Sequence, residues 1–233
     1  MNKTGDTKKA ETAVRTDKYP HSDNDWENFD VLHINRLPSA ATFMAYTTKE
    51  KAVKNDKSQS EYFQSLNGTW KFQFVPRSDQ RPMDFFEKGH DVSGWGNIKV
   101  PANWEMEGYG HPFYVGAGYG IKRNPPLIAV ENSPVGSYKR TFNVPANWKG
   151  KQIVLHFGGV ASAFYVWVNG EKVGYSQDSK TPSEFDITPY AVTEQNEIAV
   201  QVFKFSDGYY LEDQDYWRFA GIQRDVYLYA RPN

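Results

Sequence analysis

An all-β sandwich is the fold this chain predicts, on three observations: short runs of alternating apolar and polar residues, turn dipeptides between the runs, and few helix signals. TWKFQFV puts Trp70, Phe72 and Phe74 on one side and Lys71 and Gln73 on the other. That period of two is a strand with one buried face. SYKRTFNV alternates Tyr138, Arg140, Phe142 and Val144 with Lys139, Thr141 and Asn143, and AFYVWV divides Phe164, Val166 and Val168 from Tyr165 and Trp167. Asn169-Gly170 supplies the two positive-φ residues of a type I′ turn, which predicts a hairpin between AFYVWV and EKVGYS. KQIVLHFGG, NEIAVQVFKF and RDVYLYA complete the strands.

Composition narrows the class. The 233 residues, 39% hydrophobic and 16% aromatic, suffice for one core built largely from rings. The chain has 24% charged residues and lacks any run of about 18 apolar residues, which argues against membrane insertion. A net charge of −1 with both signs interspersed offers nucleic acid no basic face. The absence of cysteine excludes disulfides and thiolate chemistry and leaves cytoplasm and periplasm both open. No apolar leader is present in residues 1–24, so no signal peptide is expected in the chain as given. The histidines at 21, 33, 90, 111 and 156 have no metal-ligand spacing, and no phosphate-binding glycine motif occurs.

In chain order, residues 1–24 are polar and read as disordered or extended. Residues 25–60 read as an arm: Trp26, Phe29, Leu32 and Ile34 are apolar without clean periodicity and need a surface, either the chain's own sandwich or a subunit contact. KEKAVKNDKSQSEY reads as a solvated connection, and residues 61–233 form the sandwich. PMDFFEKG reads as a short helical turn. Pro101, Asn103, Trp104, Gly108, Gly110 and Pro112 punctuate a long irregular stretch reaching Pro134, and a loop of that length in a compact domain is usually functional. Trp26, Trp70, Trp95, Trp148 and Trp167 read as core or interface. Trp104 and Trp217 stand in loops that bear on function.

The chemistry concentrates in SDGYYLEDQDYWRFAGIQRDV, residues 206–226, which sets Asp207, Glu212, Asp213 and Asp215 among Tyr209, Tyr210, Tyr216 and Trp217. A pyranose presents hydroxyls that carboxylates accept from and C–H faces that aromatic rings cover. The alternative is a polar loop whose acids pair with Arg218 and Arg224.

This stretch, with DWENFDVLHINRLP, SLNGTWKFQF, VPANWEMEGYG, NPP, GGVASAFYVWVNGEKVGYSQDSKTPSEFDIT and NEIAVQVFKFSDG in the same order, resembles the N-terminal sugar-binding domain of glycoside hydrolase family 2, in its β-galactosidase branch. The resemblance implies a jelly-roll sandwich of the galactose-binding type and a parent that hydrolyses terminal β-galactosides with retention, its catalytic glutamates on a barrel that follows. It implies that Asp215 binds the galactosyl group and a sodium ion, with Trp217 beside it in the substrate site. It implies a structural magnesium (or calcium) ion held by Asp25, Asn28, the Val31 carbonyl, Gln177 and Asp207, a set of oxygens suited to a hard cation. An oligomeric parent is also implied. The run YVGAGYG departs from the family pattern, with Gly116 where a substrate-contacting asparagine is expected and Ala117 after it. Either the loop is re-registered or the substrate is not a simple galactoside. Two rival readings stand beside this one: a stand-alone carbohydrate-binding module, and a family 2 enzyme for another glycoside such as a β-glucuronide or β-mannoside.

Overall fold

The computed structural model describes residues 22–231 except Ala117, Tyr119 and Asp213. Most of the expectation for residues 1–24, including His21, therefore lies outside the described residues. The strands in chain order are β1 (His33–Ile34), β2 (Phe63–Ser65), β3 (Gly68–Val75), β4 (Gly96–Val100), β5 (Phe113–Val115), β6 (Val135–Phe142), β7 (Gln152–Phe157), β8 (Val160–Ala161), β9 (Ala163–Val168), β10 (Glu171–Ser176), β11 (Ser183–Asp186), β12 (Asn196–Phe203), β13 (Tyr216–Arg218), β14 (Gly221–Ile222) and β15 (Val226–Arg231).

Seven strands make one sheet in the order β1-β10-β9-β12-β6-β3-β4, and four make a second, β11-β7-β15-β2. Trp70, Phe72, Tyr138, Val166 and Val200 of the first sheet and Leu155, Phe185 and Leu228 of the second join one core, which makes the molecule an all-β sandwich. Burying each aliphatic or phenylalanine side chain of that core is worth about 1.5–3 kcal/mol. The expected hairpin is present: β9 pairs antiparallel with β10 through Asn169 at φ 53° and Gly170 at φ 89°.

The seven-stranded sheet is buried on its outer face too. Tyr165, Trp167, Ala199 and Phe203 form a second cluster there with Trp26 and Phe85. Trp26 stacks on Phe203 at 4.1 Å between ring centroids, and Phe86 stacks on Trp167 at 4.9 Å. This double burial explains why AFYVWV is apolar at every position.

The arm is part of the structure. His33 and Ile34 of β1 pair with Ser176 and Tyr175 of β10, Arg36 bridges to Phe185 of β11, and the Leu37 amide donates to the Glu184 carbonyl. Gly174 permits the close approach, because a Cβ there would lie 2.4 Å from the Ile34 carbonyl oxygen and 2.6 Å from the Phe185 ring. Two local readings differ from the structure. KEKAVK is the helix α1 (Lys49–Lys54), capped by Thr48, whose side chain accepts from the Lys51 amide. PMDFFEKG forms two successive turns, Glu87 N to Asp84 O and His90 N to Glu87 O, that deliver Phe85 and Phe86 onto Trp167. Among the described residues no helix is long and apolar enough to cross a membrane.

Candidate functional site

The loop between β12 and β15 folds back on the sandwich before it reaches the surface. Residues Asp207–Tyr210 form a 3-10 turn that buries Tyr209 and Tyr210 against Phe205 and Ile128. Arg218, 4% exposed, lies over the rings of Tyr209 and Tyr216 and donates to the carbonyls of Glu212 and Gln214. The guanidinium therefore shapes the loop from inside. Both Glu212 carboxylate oxygens accept from Ser179, one from its amide at 2.8 Å and the other from its hydroxyl. Asp225 accepts from Asn67 and Lys57, and Arg224 donates to the Lys180 carbonyl. Asp213 lies outside the described residues.

Asp215 is used differently from its neighbours. It is exposed at the start of β13, where it accepts a hydrogen bond from the Tyr114 phenol on the paired strand β5. That bond raises the phenol above its ordinary range, because ionised Tyr114 would set one negative charge against another. Trp217 lies opposite Tyr114, 53% exposed, with ring centroids 5.8 Å apart. Gly116 follows on the same strand face as Tyr114, and a Cβ there would lie 3.5 Å from Asp215 Oδ1. Asp215, Trp217 and Gly116 thus meet on one exposed ribbon. Trp104, which the loop reading left undecided, is fully buried core.

The five residues named as divalent-ion ligands are brought into one neighbourhood to different degrees. Gln177 Nε2 lies 2.6 Å from Asp207 Oδ1 and 3.4 Å from the Val31 carbonyl, and it also donates to the Tyr175 hydroxyl at 2.8 Å. Asp25 accepts from the Tyr165 hydroxyl at 2.7 Å, and Tyr165 packs on Tyr175 at 4.8 Å. Asn28 Oδ1 is spent locally on the Asp30 amide at 3.0 Å. Asp207 is 1% exposed, and its Oδ2 is buried without a hydrogen-bond partner. Burial pushes its carboxyl up to about 6, and the carboxylate of Glu27 adds in the same direction. A buried, half-satisfied carboxylate beside an amide and a carbonyl has the donor chemistry a hard divalent cation takes. No cluster of three or more histidine, cysteine or acidic side chains suited to a metal occurs among the described residues, so carboxylates alone do not make this site.

Three features escaped the sequence reading. Tyr114 was legible in principle, since it stands two residues before Gly116 and so shares its face once YV is taken as a strand. Glu27, 7% exposed, accepts from the Ile128 amide at 2.8 Å and from Ser22 and Asn24. Nothing in DWEN marks it as buried. The third is a buried ion pair of Lys204 with Glu105, in which Lys204 also donates to the His111 carbonyl and Glu105 accepts from the Ala220 amide. One pair therefore holds both the entry to β5 and the exit from β13.

Residues 63–232 match the family model described as glycosyl hydrolases family 2, sugar binding domain. The β-galactosidase of Priestia megaterium is 45% identical over 236 residues, an alignment covering 100% of this chain and 22% of that protein. The β-galactosidase of Halalkalibacterium halodurans is 44% identical over 91% of this chain and 21% of its own length. The chain thus spans about a fifth of these relatives. Among solved structures, Bacteroides uniformis beta-glucuronidase 2, covalently bound to cyclophellitol-6-carboxylate aziridine, superposes with a TM-score of 0.56 at 26% identity, covering 73% of this chain and 18% of that one. The chain belongs to glycosyl hydrolase family 2, as its sugar-binding domain.

Proposed function

We propose that this chain serves a larger retaining β-galactosidase, to which it lends one wall of the sugar site. The observation that carries the reading is the exposed ribbon of Asp215, Tyr114 and Trp217 in a chain that aligns over its whole length with the β-galactosidase of Priestia megaterium. Asp215 would accept from hydroxyls of the terminal galactosyl group, and the Trp217 ring would cover a C–H face. The carboxyl pair that cleaves the bond, about 5 Å apart in a retaining enzyme, belongs to the rest of the parent. A sodium ion at Asp215 would take its other ligands from that remainder. A divalent ion would be held by Asp207, Asp25, the Val31 carbonyl and Gln177 with its amide turned so that Oε1 faces the metal, and it would supply charge neutralisation between the arm and the sandwich. A jelly-roll winding and a homo-oligomeric parent belong to the same reading.

The fold shared with a β-glucuronidase raises the possibility of a uronide substrate. Asp215 favours the neutral sugar, because a ligand carboxylate on this ribbon would meet a like charge. Full-length parent assayed on nitrophenyl β-galactoside, β-glucuronide, β-mannoside and β-glucoside should turn over the galactoside with the highest kcat/KM. Preference for a uronide, or sugar binding without any turnover, would overturn the proposal.

A further inference from the structure

The outer face of the seven-stranded sheet is not apolar throughout. Toward the β4 edge its residues turn polar, and between them and the segment carrying His90 and Val92 lies an open groove of about 430 Å³, which shares no lining residue with the β5–β13 ribbon. Strand alternation turns Thr69, Lys71, Asn97, Lys139 and Thr141 toward it. Arg140 faces the other way and donates to the carbonyls of Leu66 and Asn67.

Pairing places Lys71 directly opposite Lys139 on β6 and opposite Asn97 on β4. Like charges facing each other across a sheet repel, and these two ammonium groups are answered unequally. Lys139, 4% exposed, reaches Glu197 at 3.1 Å and donates to the Glu87 carbonyl at 2.8 Å. The same Glu197 oxygen accepts from the Gly89 amide, so it is engaged twice. Lys71 has no carboxylate within ion-pair distance among the described residues, and its hydrogen bond to the Trp95 carbonyl is long, at 3.4 Å. Asp91, next to His90 in sequence, accepts from the Ser93 amide. The side chains of Thr69, His90, Asn97 and Thr141 make no hydrogen bond among the described residues. The groove thus carries one uncompensated positive charge amid unspent donors.

We propose that this groove binds a tetrahedral oxyanion, either inorganic phosphate or the phosphoryl group of a sugar phosphate, with Lys71 as its charge partner and Thr69, Asn97 and Thr141 donating to its oxygens. Lysine serves phosphate as a point charge, and a bound dianion converts the repulsion between Lys71 and Lys139 into a shared attraction. A divalent cation would meet Lys71 as a like charge. A neutral sugar is the poorer fit, because it wants a ring to cover its C–H face and the tryptophan in the lining, Trp70, is 1% exposed. The site is separate from the sugar wall and does not rest on the glycosidase reading.

The test is isothermal titration calorimetry of full-length parent at low ionic strength, with inorganic phosphate, glucose 6-phosphate and glucose as probes. Wild type should bind phosphate, Lys71→Met should weaken that binding about tenfold or more, and Lys149→Met, outside the groove, should leave it unchanged. Thr141→Val, at an exposed position that leaves the lysines untouched, should weaken it about threefold. With no anion present Lys71→Met should melt no lower than wild type, since it relieves Lys139 of a like charge, and added phosphate should raise the wild-type Tm alone. Glucose 6-phosphate binding tighter than phosphate identifies a sugar phosphate as the ligand, and the reverse order identifies the free ion. Phosphate binding that is absent from wild type, unchanged in Lys71→Met or matched by glucose overturns the proposal.

Discussion

At the scale of single residues, Asp207 and Asp215 separate two uses of a carboxylate. Asp215 is exposed and its charge costs little, so replacing it should leave folding alone and act on the substrate. In full-length parent, Asp215→Ala should lower kcat/KM at least a hundredfold, about 2.7 kcal/mol of transition-state stabilisation, with an unchanged melting curve. Asp207 is buried with one oxygen unpartnered, so its charge is a burden unless a cation answers it. Magnesium at a hundredfold excess over its Kd should stabilise the chain by about 2.7 kcal/mol, read as a Tm rise that a chelator reverses. In chelator, Asp207→Asn should melt no lower than wild type, and it should lose the metal-dependent rise. A chelator-insensitive wild-type Tm would remove the cation from the description.

At the scale of elements, the site ribbon and the arm are held by contacts remote from both. The Lys204 and Glu105 side chains are 6% and 1% exposed, and deleting one partner strands the other. Lys204→Met should therefore cost about 3–5 kcal/mol in urea unfolding. The arm depends on Trp26, 5% exposed under Arg81 and against Phe203, so Trp26→Ala should cost about 3–5 kcal/mol. Gly174→Ala offers a gentler probe, since its Cβ collides with the Ile34 carbonyl before anything in the second sheet need move far. It should speed protease cleavage between Trp26 and Leu37 while the sandwich stays folded. Legibility followed the same division. The strands and the Asn169-Gly170 turn could be read because period and turn chemistry are local. The Lys204–Glu105 pair could not, because its partners stand about a hundred residues apart, and Tyr114 could be placed beside Gly116 but not against the equally distant Asp215. The helix Lys49–Lys54 was missed because it is only six residues long and buries none of them, too short a run to show an amphipathic period.

At the scale of the whole molecule, one core with both faces of the larger sheet covered predicts that the 233-residue chain folds by itself. It should show a single cooperative melt and no turnover of nitrophenyl β-galactoside above a buffer blank; turnover abolished by a substitution in this chain would contradict the division of labour proposed above. The arm has a consequence for the parent's handling as well. The strand β1 occupies the free edge of β10, and Arg36 then crosses to β11, so a segment from outside the sandwich closes the seam between its two sheets. Unpaired edges template pairing with other chains. A truncation beginning after Leu37 would bare that edge and the hollow left by Trp26 together, so such a protein should form concentration-dependent aggregates, making the arm a guard against self-association as much as a fastening.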